Sequence, residues 1–205
     1  MSLVYYYSPM SSAVRVTWAI EELSVPCERV LVDFRKGETK TPEFLKLNPN
    51  GKVPLLVIDG HPIFESLAIL VHLGETYGVA KGMYPAPGVE RADCLKWIAW
   101  ASASLIEPIQ RYVLHTSERV PAEQRNAKAA AVAMADLEGM LTLLDSALAG
   151  RSYLLGGQFT MADLAVCGFI TYLAFLRYDV SPHANIKAWS ERCLSRPAAQ
   201  KSHAM

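Results

Sequence analysis

Neither sign of charge predominates in this sequence, where 20 Lys and Arg offset 20 Asp and Glu across 205 residues. Without a basic field there is nothing at long range to draw a nucleic acid, and without an acidic excess there is no sign of a disordered acidic tail. Cysteine is scarce as well. Cys27, Cys94, Cys167 and Cys193 lie far apart, with no CxxC and no Cys/His cluster at ligand spacing. That pattern argues against a zinc site or a disulfide framework and fits reduced thiols in a cytoplasmic protein. The five histidines show no metal spacing either, so no metal is expected. Long apolar runs are also missing: the most apolar window, Met161 to Leu176, carries Asp163 and is shorter than the ~20 residues a bilayer needs. The start lacks a charged n-region, an apolar h-region and a cleavage site, so no export segment is expected.

What is present is apolar residue in quantity, 51% of the chain, arranged with two different periods. After an opening strand-like run, SSAVRVTWAIEELSVP repeats Ala13, Val16, Ile20 and Leu23 at helical steps and ends before Pro26. CERVLVDF alternates as a strand. The stretch 35–50 reads as a polar, irregular connector. VPLLVIDGHPIFES gives two strands about Asp59-Gly60, a pair that accepts positive φ and favours a tight hairpin, and Leu67 to Tyr77 follows as a helix closed by Gly78. The order β-α-β, connector, β-β-α predicts a mixed sheet with helices on its faces. VAKGMYPAPG, residues 79–88, has two glycines and two prolines and reads as a linker. Residues 89–205 show helical period only, with a break or kink expected at Pro108. Thr160 followed by Asp163 reads as a capping box, flanked by Phe159 and Leu164 as a staple, for an all-apolar helix that should lie at the centre of that half.

Three features could carry chemistry. The opening strand runs into a helix through Ser8, Ser11 and Ser12, which places hydroxyls beside unpaired helix N–H groups. NPNGKVPLL sets Pro54 at the start of a strand, where it removes a ladder donor. Glu65-Ser66 directly precedes a helix, as either a cap or an anion pocket.

Together, YYYSPMSSAVR, PEFLKLNPNGKVPLL, Glu65-Ser66 and FTMADLAV resemble the cytosolic-type glutathione transferases, over nearly the whole chain and closest to the serine-type classes. The resemblance implies a thioredoxin-like domain over residues 1–78 that holds glutathione, a linker at 79–88, an all-helical domain over 89–205 that forms most of the second-substrate pocket, and a homodimer. By the pattern Tyr-x-Pro-x-Ser-Ser-x-x-Arg, Ser11 takes the place of the thiol-activating serine; Tyr7 is the alternative by comparison with tyrosine-type classes, and Ser12 a further one. Val53, ahead of Pro54, matches the residue whose main chain pairs with the cysteinyl part of glutathione. Glu65 and Ser66 match the holders of its γ-glutamyl end, and Lys40 and Lys52 the partners of its glycyl carboxylate, although Thr39 stands where several serine-type relatives have histidine. Met10, Trp97, Trp100, Ser104 and Tyr112 are candidates for the second-substrate pocket.

Elementary chemistry agrees with this assignment. Only the thiolate of glutathione is a good nucleophile, and with a reference thiol pKa of about 8.5 only roughly 3% is ionised at pH 7. Lowering that pKa by about two units takes ~2.7 kcal/mol. One hydroxyl donating to a charged acceptor supplies ~1.5–3 kcal/mol, and a helix N-terminus ~0.3–1. The expected activity is therefore glutathione conjugation to small hydrophobic electrophiles. Isomerase, peroxidase or dehalogenase use of the same thiolate and a non-catalytic transferase-like module are the alternatives. Deglutathionylation would need a cysteine after Pro9, and Met10, Ser11 and Ser12 supply none.

Overall fold

The structure is a computed structural model that describes residues 2–9 and 11–204. Met10, a candidate for the second-substrate pocket, lies outside the described residues. Four strands, β1 (Leu3–Tyr7), β2 (Glu28–Leu31), β3 (Leu55–Ile58) and β4 (His61–Phe64), form one sheet in the order β2-β1-β3-β4. β1 runs parallel to β2 and antiparallel to β3, and β3 pairs antiparallel with β4. The β3–β4 hairpin closes at Asp59 (φ 46°) and Gly60 (φ 83°), the two consecutive positive φ angles that an Asp-Gly turn tolerates.

Strand alternation sorts the three opening tyrosines. Tyr5 and Tyr7 stack on one face, with ring centroids 5.5 Å apart, while Tyr6 turns to the other and meets Phe44 edge-on. Tyr5 is fully buried against α1 (Ala13–Leu23). Its hydroxyl donates to the Ala13 carbonyl at 2.7 Å and shares a 2.9 Å bond with Thr17 Oγ1. Burial raises its pKa, which leaves it a neutral structural phenol.

Three expectations need correction. The connector 35–50 is not irregular throughout, because it holds α2 (Pro42–Leu47), whose start is set by Thr41 Oγ1 accepting from the Phe44 N–H at 3.3 Å and by Pro42 in the first turn. Six residues with one buried side chain give no helical period to detect. Next, α3 (Ser66–Leu73) does not continue as an α-helix to Tyr77; it widens into a π turn at Gly74–Gly78 and a 3-10 turn at Val79–Lys81, ending at Gly82. The ring of Tyr84 fills the space left by glycine, since a Cβ on Gly74 would stand 2.7 Å from it. Finally, of the break or kink expected at Pro108, the break does not occur. α4 (Val89–Trp100) runs through a π turn at Ala101–Leu105 into α5 (Ile106–Thr116). The π turn contains Ser104, the residue whose carbonyl the proline ring would otherwise crowd.

The remaining helices are α6 (Ala127–Leu148), α7 (Met161–Phe175), α8 (Ala184–Leu194) and α9 (Pro197–His203). α7 is buried on nearly every side and packs on α1, α4 and α8. Its first turn depends on Asp163, which is fully buried yet saturated. Oδ1 accepts from the Leu154 N–H (2.8 Å) and Trp189 Nε1 (2.9 Å), and Oδ2 from the Thr160 N–H (2.9 Å) and Thr160 Oγ1 (3.0 Å). Desolvation pushes this carboxyl up, against the pull of its four donors. Among the described residues no helix is long and apolar enough to cross a membrane.

Truncating Asp163 strands the Leu154 and Thr160 amides and the Trp189 indole N–H without partners. Asp163→Ala should therefore lose roughly 3 kcal/mol or more, and Asp163→Asn, which keeps one acceptor oxygen but turns an NH₂ toward a donor, roughly 1–3 kcal/mol. Urea unfolding followed by tryptophan fluorescence checks the order. Equal stability of wild type and Asp163→Ala would contradict it.

Candidate active site

Between the sheet domain and the helices lies a cleft of about 560 Å³. Three chain segments form its polar wall: the turn before α1 with Ser11 and Ser12, the loop from Asn48 to Pro54, and Glu65-Ser66 at the start of α3. Two helix N-termini thus open onto the same space. The Ser11 hydroxyl donates to the Ser8 carbonyl at 2.7 Å and accepts from the Ala13 N–H at 3.2 Å, so it closes the turn. Ser12 is exposed and its side chain does not cap the helix.

The loop is held from behind. Asn48, 2% exposed, donates through Nδ2 to the Lys52 carbonyl (2.7 Å) and accepts at Oδ1 from the Asn50 N–H (3.1 Å). Lys40 Nζ donates to the Gly51 carbonyl at 3.1 Å. This clamp presents Lys52 and the Val53-Pro54 step, a cis peptide, to the cleft. Glu65 has φ 71°, a strained value for a residue with a side chain. The strain sits at the junction where β4 must turn directly into α3.

Beneath this wall lies a group that composition gave no reason to expect inside: Arg15, 3% exposed and lining the cleft. Its Nη2 donates to Ser66 Oγ at 2.8 Å, and its Nη1 faces Ser102 Oγ (3.3 Å) and the Ala165 carbonyl (3.4 Å). The guanidinium carbon lies 3.9 Å over the Phe169 ring. No carboxylate pairs with it among the described residues, and Nε is buried without a partner. Burial pulls its pKa down to about 9, which still leaves it charged at neutral pH.

The opposite wall is largely apolar. Ile106 on α5 and Phe169, Tyr172 and Phe175 on α7 line it, with the last two rings stacked 6.3 Å apart. Ser102 and Gln110 continue the row begun by Ile106 at four-residue steps.

Of the residues predicted from sequence, Ser11, Ser12, Lys52, Val53, Pro54, Glu65 and Ser66 come together in the cleft. Tyr7, Lys40, Trp97, Trp100, Ser104 and Tyr112 are not among its lining residues. Tyr7 is stacked on Tyr5, and Trp97 and Trp100 meet edge to face at 5.3 Å. Sequence reasoning missed Arg15 and Asn48, although both stand inside the quoted motifs, and it missed the apolar wall. Three of the four cysteines are buried and Cys27 half-buried; burial pushes the Cys94 thiol up to about 12.

A four-stranded thioredoxin-like domain facing a helical domain across such a cleft defines the class. The chain belongs to the glutathione S-transferase family. The family's N-terminal domain model matches residues 1–75 and its C-terminal domain model residues 99–197. Glutathione S-transferase GstB of Escherichia coli (strain K12) is 32% identical over 189 residues, covering 91% of this chain and 90% of that one. A delta-class glutathione transferase of Nilaparvata lugens, 28% identical, superposes with a TM-score of 0.87 over 98% of this chain and 93% of its own. A Burkholderia graminis glutathione transferase, solved with two glutathione molecules per subunit, is 26% identical with a TM-score of 0.86, covering 98% and 87%.

The Asn48 clamp predicts a measurable coupling between stability and ligand retention. Asn48→Ala leaves the Lys52 carbonyl unpaired and should cost about 1–3 kcal/mol. It should also weaken retention on immobilised glutathione, because the loop is freed. A variant equal to wild type in both melting temperature and retention would contradict the clamp.

Proposed function

We propose that this chain is a glutathione transferase that binds glutathione along the polar wall, holds its sulfur as a thiolate at the start of α1 and delivers it to small hydrophobic electrophiles. Residues 1–78 act as the glutathione domain, 79–88 as the linker and 89–205 as the source of the second pocket, in a cytoplasmic homodimer. The observation that carries the reading is the division of a single cleft. Hydroxyls, amides, a lysine and a glutamate stand on one side, and Ile106, Phe169, Tyr172 and Phe175 on the other. A zwitterionic tripeptide and an apolar electrophile need such a pair of walls.

In this reading the tripeptide lies extended beside Val53, whose main chain pairs with it as an added strand. Its γ-glutamyl carboxylate meets Ser66 at the start of α3, its ammonium meets Glu65, and Lys52 faces the glycyl end. Ser11 is the activating hydroxyl. To donate to sulfur it rotates away from the Ser8 carbonyl, exchanging one 2.7 Å bond to a neutral acceptor for a stronger one to an anion. Because Tyr7 stands outside the cleft lining, its hydroxyl is the weaker candidate. Glutathione transfer to an aryl halide would then need no group beyond these: sulfur attacks the ring carbon, halide leaves, and the thiol proton has already passed to solvent.

The bound thiol should titrate near ~6.5, about two units below its value in water. Since the thiolate is the reactive form, kcat/KM should rise with pH through that value and then level off. Ser11→Ala should move the inflection up toward about 8.5 and lower the rate at pH 6.5 by ~10- to 100-fold, with Tyr7→Phe unchanged. Thiolate absorbance and aryl-halide turnover read both effects. A loss confined to Tyr7→Phe, or to Ser12→Ala, would transfer the role to that residue; an unshifted thiol in wild type would overturn the mechanism.

A further inference from the structure

Arg15 occupies a place built for it. A Cβ on Gly168, in the middle of α7, would stand 2.3 Å from Arg15 Cγ, so only glycine at that position admits the side chain. Among the described residues the guanidinium so housed has neutral partners only: two hydroxyls, one carbonyl and a ring face. Its full positive charge is thus left at the edge of the cleft without a counter-ion. Its geometry also decides what Ser66 can do. Arginine donates and never accepts, so the 2.8 Å contact makes Ser66 Oγ the acceptor. The single Ser66 hydroxyl proton must then go elsewhere. Ser66 is buried to 7% exposure, lines the cleft, and finds no acceptor for that proton among the described residues. A buried hydroxyl proton of this kind calls for a partner.

We infer that Arg15 is a positioning residue for ligand recognition: by donating to Ser66 Oγ it commits the Ser66 hydroxyl proton to the cleft as a donor for a ligand carboxylate, and that carboxylate supplies the counter-charge the buried guanidinium lacks. This rests on the reading that glutathione occupies the cleft, with its γ-glutamyl α-carboxylate at Ser66. Arg15 does not touch the ligand in this arrangement. It acts through the hydroxyl, and through the field of a cation that water cannot screen.

The test compares two ligands rather than two activities. Dissociation constants are measured by calorimetry for glutathione and for its analogue lacking only the γ-glutamyl α-carboxylate, with 4-aminobutyrate replacing the γ-glutamyl residue. Wild type should prefer glutathione by about 10- to 100-fold. Ser66→Ala and Arg15→Met should bring that ratio close to one, while Arg15→Lys, which still donates, should retain part of it. Melting temperatures are taken for each variant. Should Arg15→Met fail to fold, Gly168→Ala decides the matter: it displaces the arginine stem while leaving every cleft hydroxyl in place, and should lower the same ratio. A general packing role would weaken both ligands equally and leave the ratio untouched, and that outcome in Arg15→Met, or in Gly168→Ala where it stands in, overturns the inference. A wild-type ratio near one overturns it as well, with glutathione binding intact. If wild type binds neither ligand, it is the glutathione reading that fails first, and the inference falls with it.

Discussion

Burial of α1 on nearly every side is the constraint from which the rest of the molecule follows. Its residues face five different neighbours within three turns. Thr17 meets the Tyr5 hydroxyl from the sheet, Trp18 packs on Phe159, Arg15 reaches α3 and α7, and Glu22 takes a two-bond ion pair from Arg196 at 2.6 and 2.8 Å. A helix so enclosed cannot shift without disturbing both halves at once. The turn that precedes it, with Ser11 and Ser12, is therefore fixed by packing remote from the cleft, and a site assembled there inherits the rigidity of the core.

Among the described residues, Asp163 and Arg15 are the charged side chains set most deeply in that core, and they are treated in opposite ways. Asp163 is surrounded by four donors and has no remaining lone pair aimed at open space, so its charge is spent within the fold. Arg15 keeps an unpaired Nε, no carboxylate and a hydroxyl relay toward the cleft. Both groups are desolvated, and for each burial disfavours the charged form. The difference lies in completeness. A saturated buried carboxylate serves structure, whereas an under-compensated buried cation beside a cavity leaves a potential that a ligand of opposite charge can use.

Much of this was legible in the sequence wherever a local signal coincided with a local structure. Asp59-Gly60 specified its hairpin through two positive φ angles, and Thr160 with Asp163 announced the start of α7. The connector helix α2 escaped because its signal, Thr41 and Pro42, lies in capping chemistry rather than in period. Arg15 was visible within a motif but its depth was not, since burial of a cation depends on a glycine 153 positions away. The C-terminal wall was harder to read for a geometric reason. Large aromatics such as Trp97 and Trp100 draw attention in a sequence, yet they pack on each other. The face that meets the cleft carries Ser102, Ile106 and Gln110 instead.

That last choice of face is set by the π turn at Ala101–Leu105, which adds a residue to one turn and rotates everything beyond it relative to α4. Trp97 and Trp100 lie before the turn, whereas Ile106 and Gln110 lie after it, so one helical rod presents different faces to different neighbours. Pro108 removes a donor just past the turn, so a regular α-helical path has less to offer there. The polar wall, by contrast, is written by strand ends and helix starts in the first 66 residues. Because the two walls belong to different elements, residues such as Tyr172 and Phe175 can change the shape of the apolar side without moving the serines, the Val53 main chain or Glu65. Arg15 is where that independence ends: its stem lies against Gly168, its guanidinium lies over Phe169 and its donor bond reaches Ser66. A substitution on α7 near that contact acts on both walls, and one a turn farther along acts on the apolar wall alone.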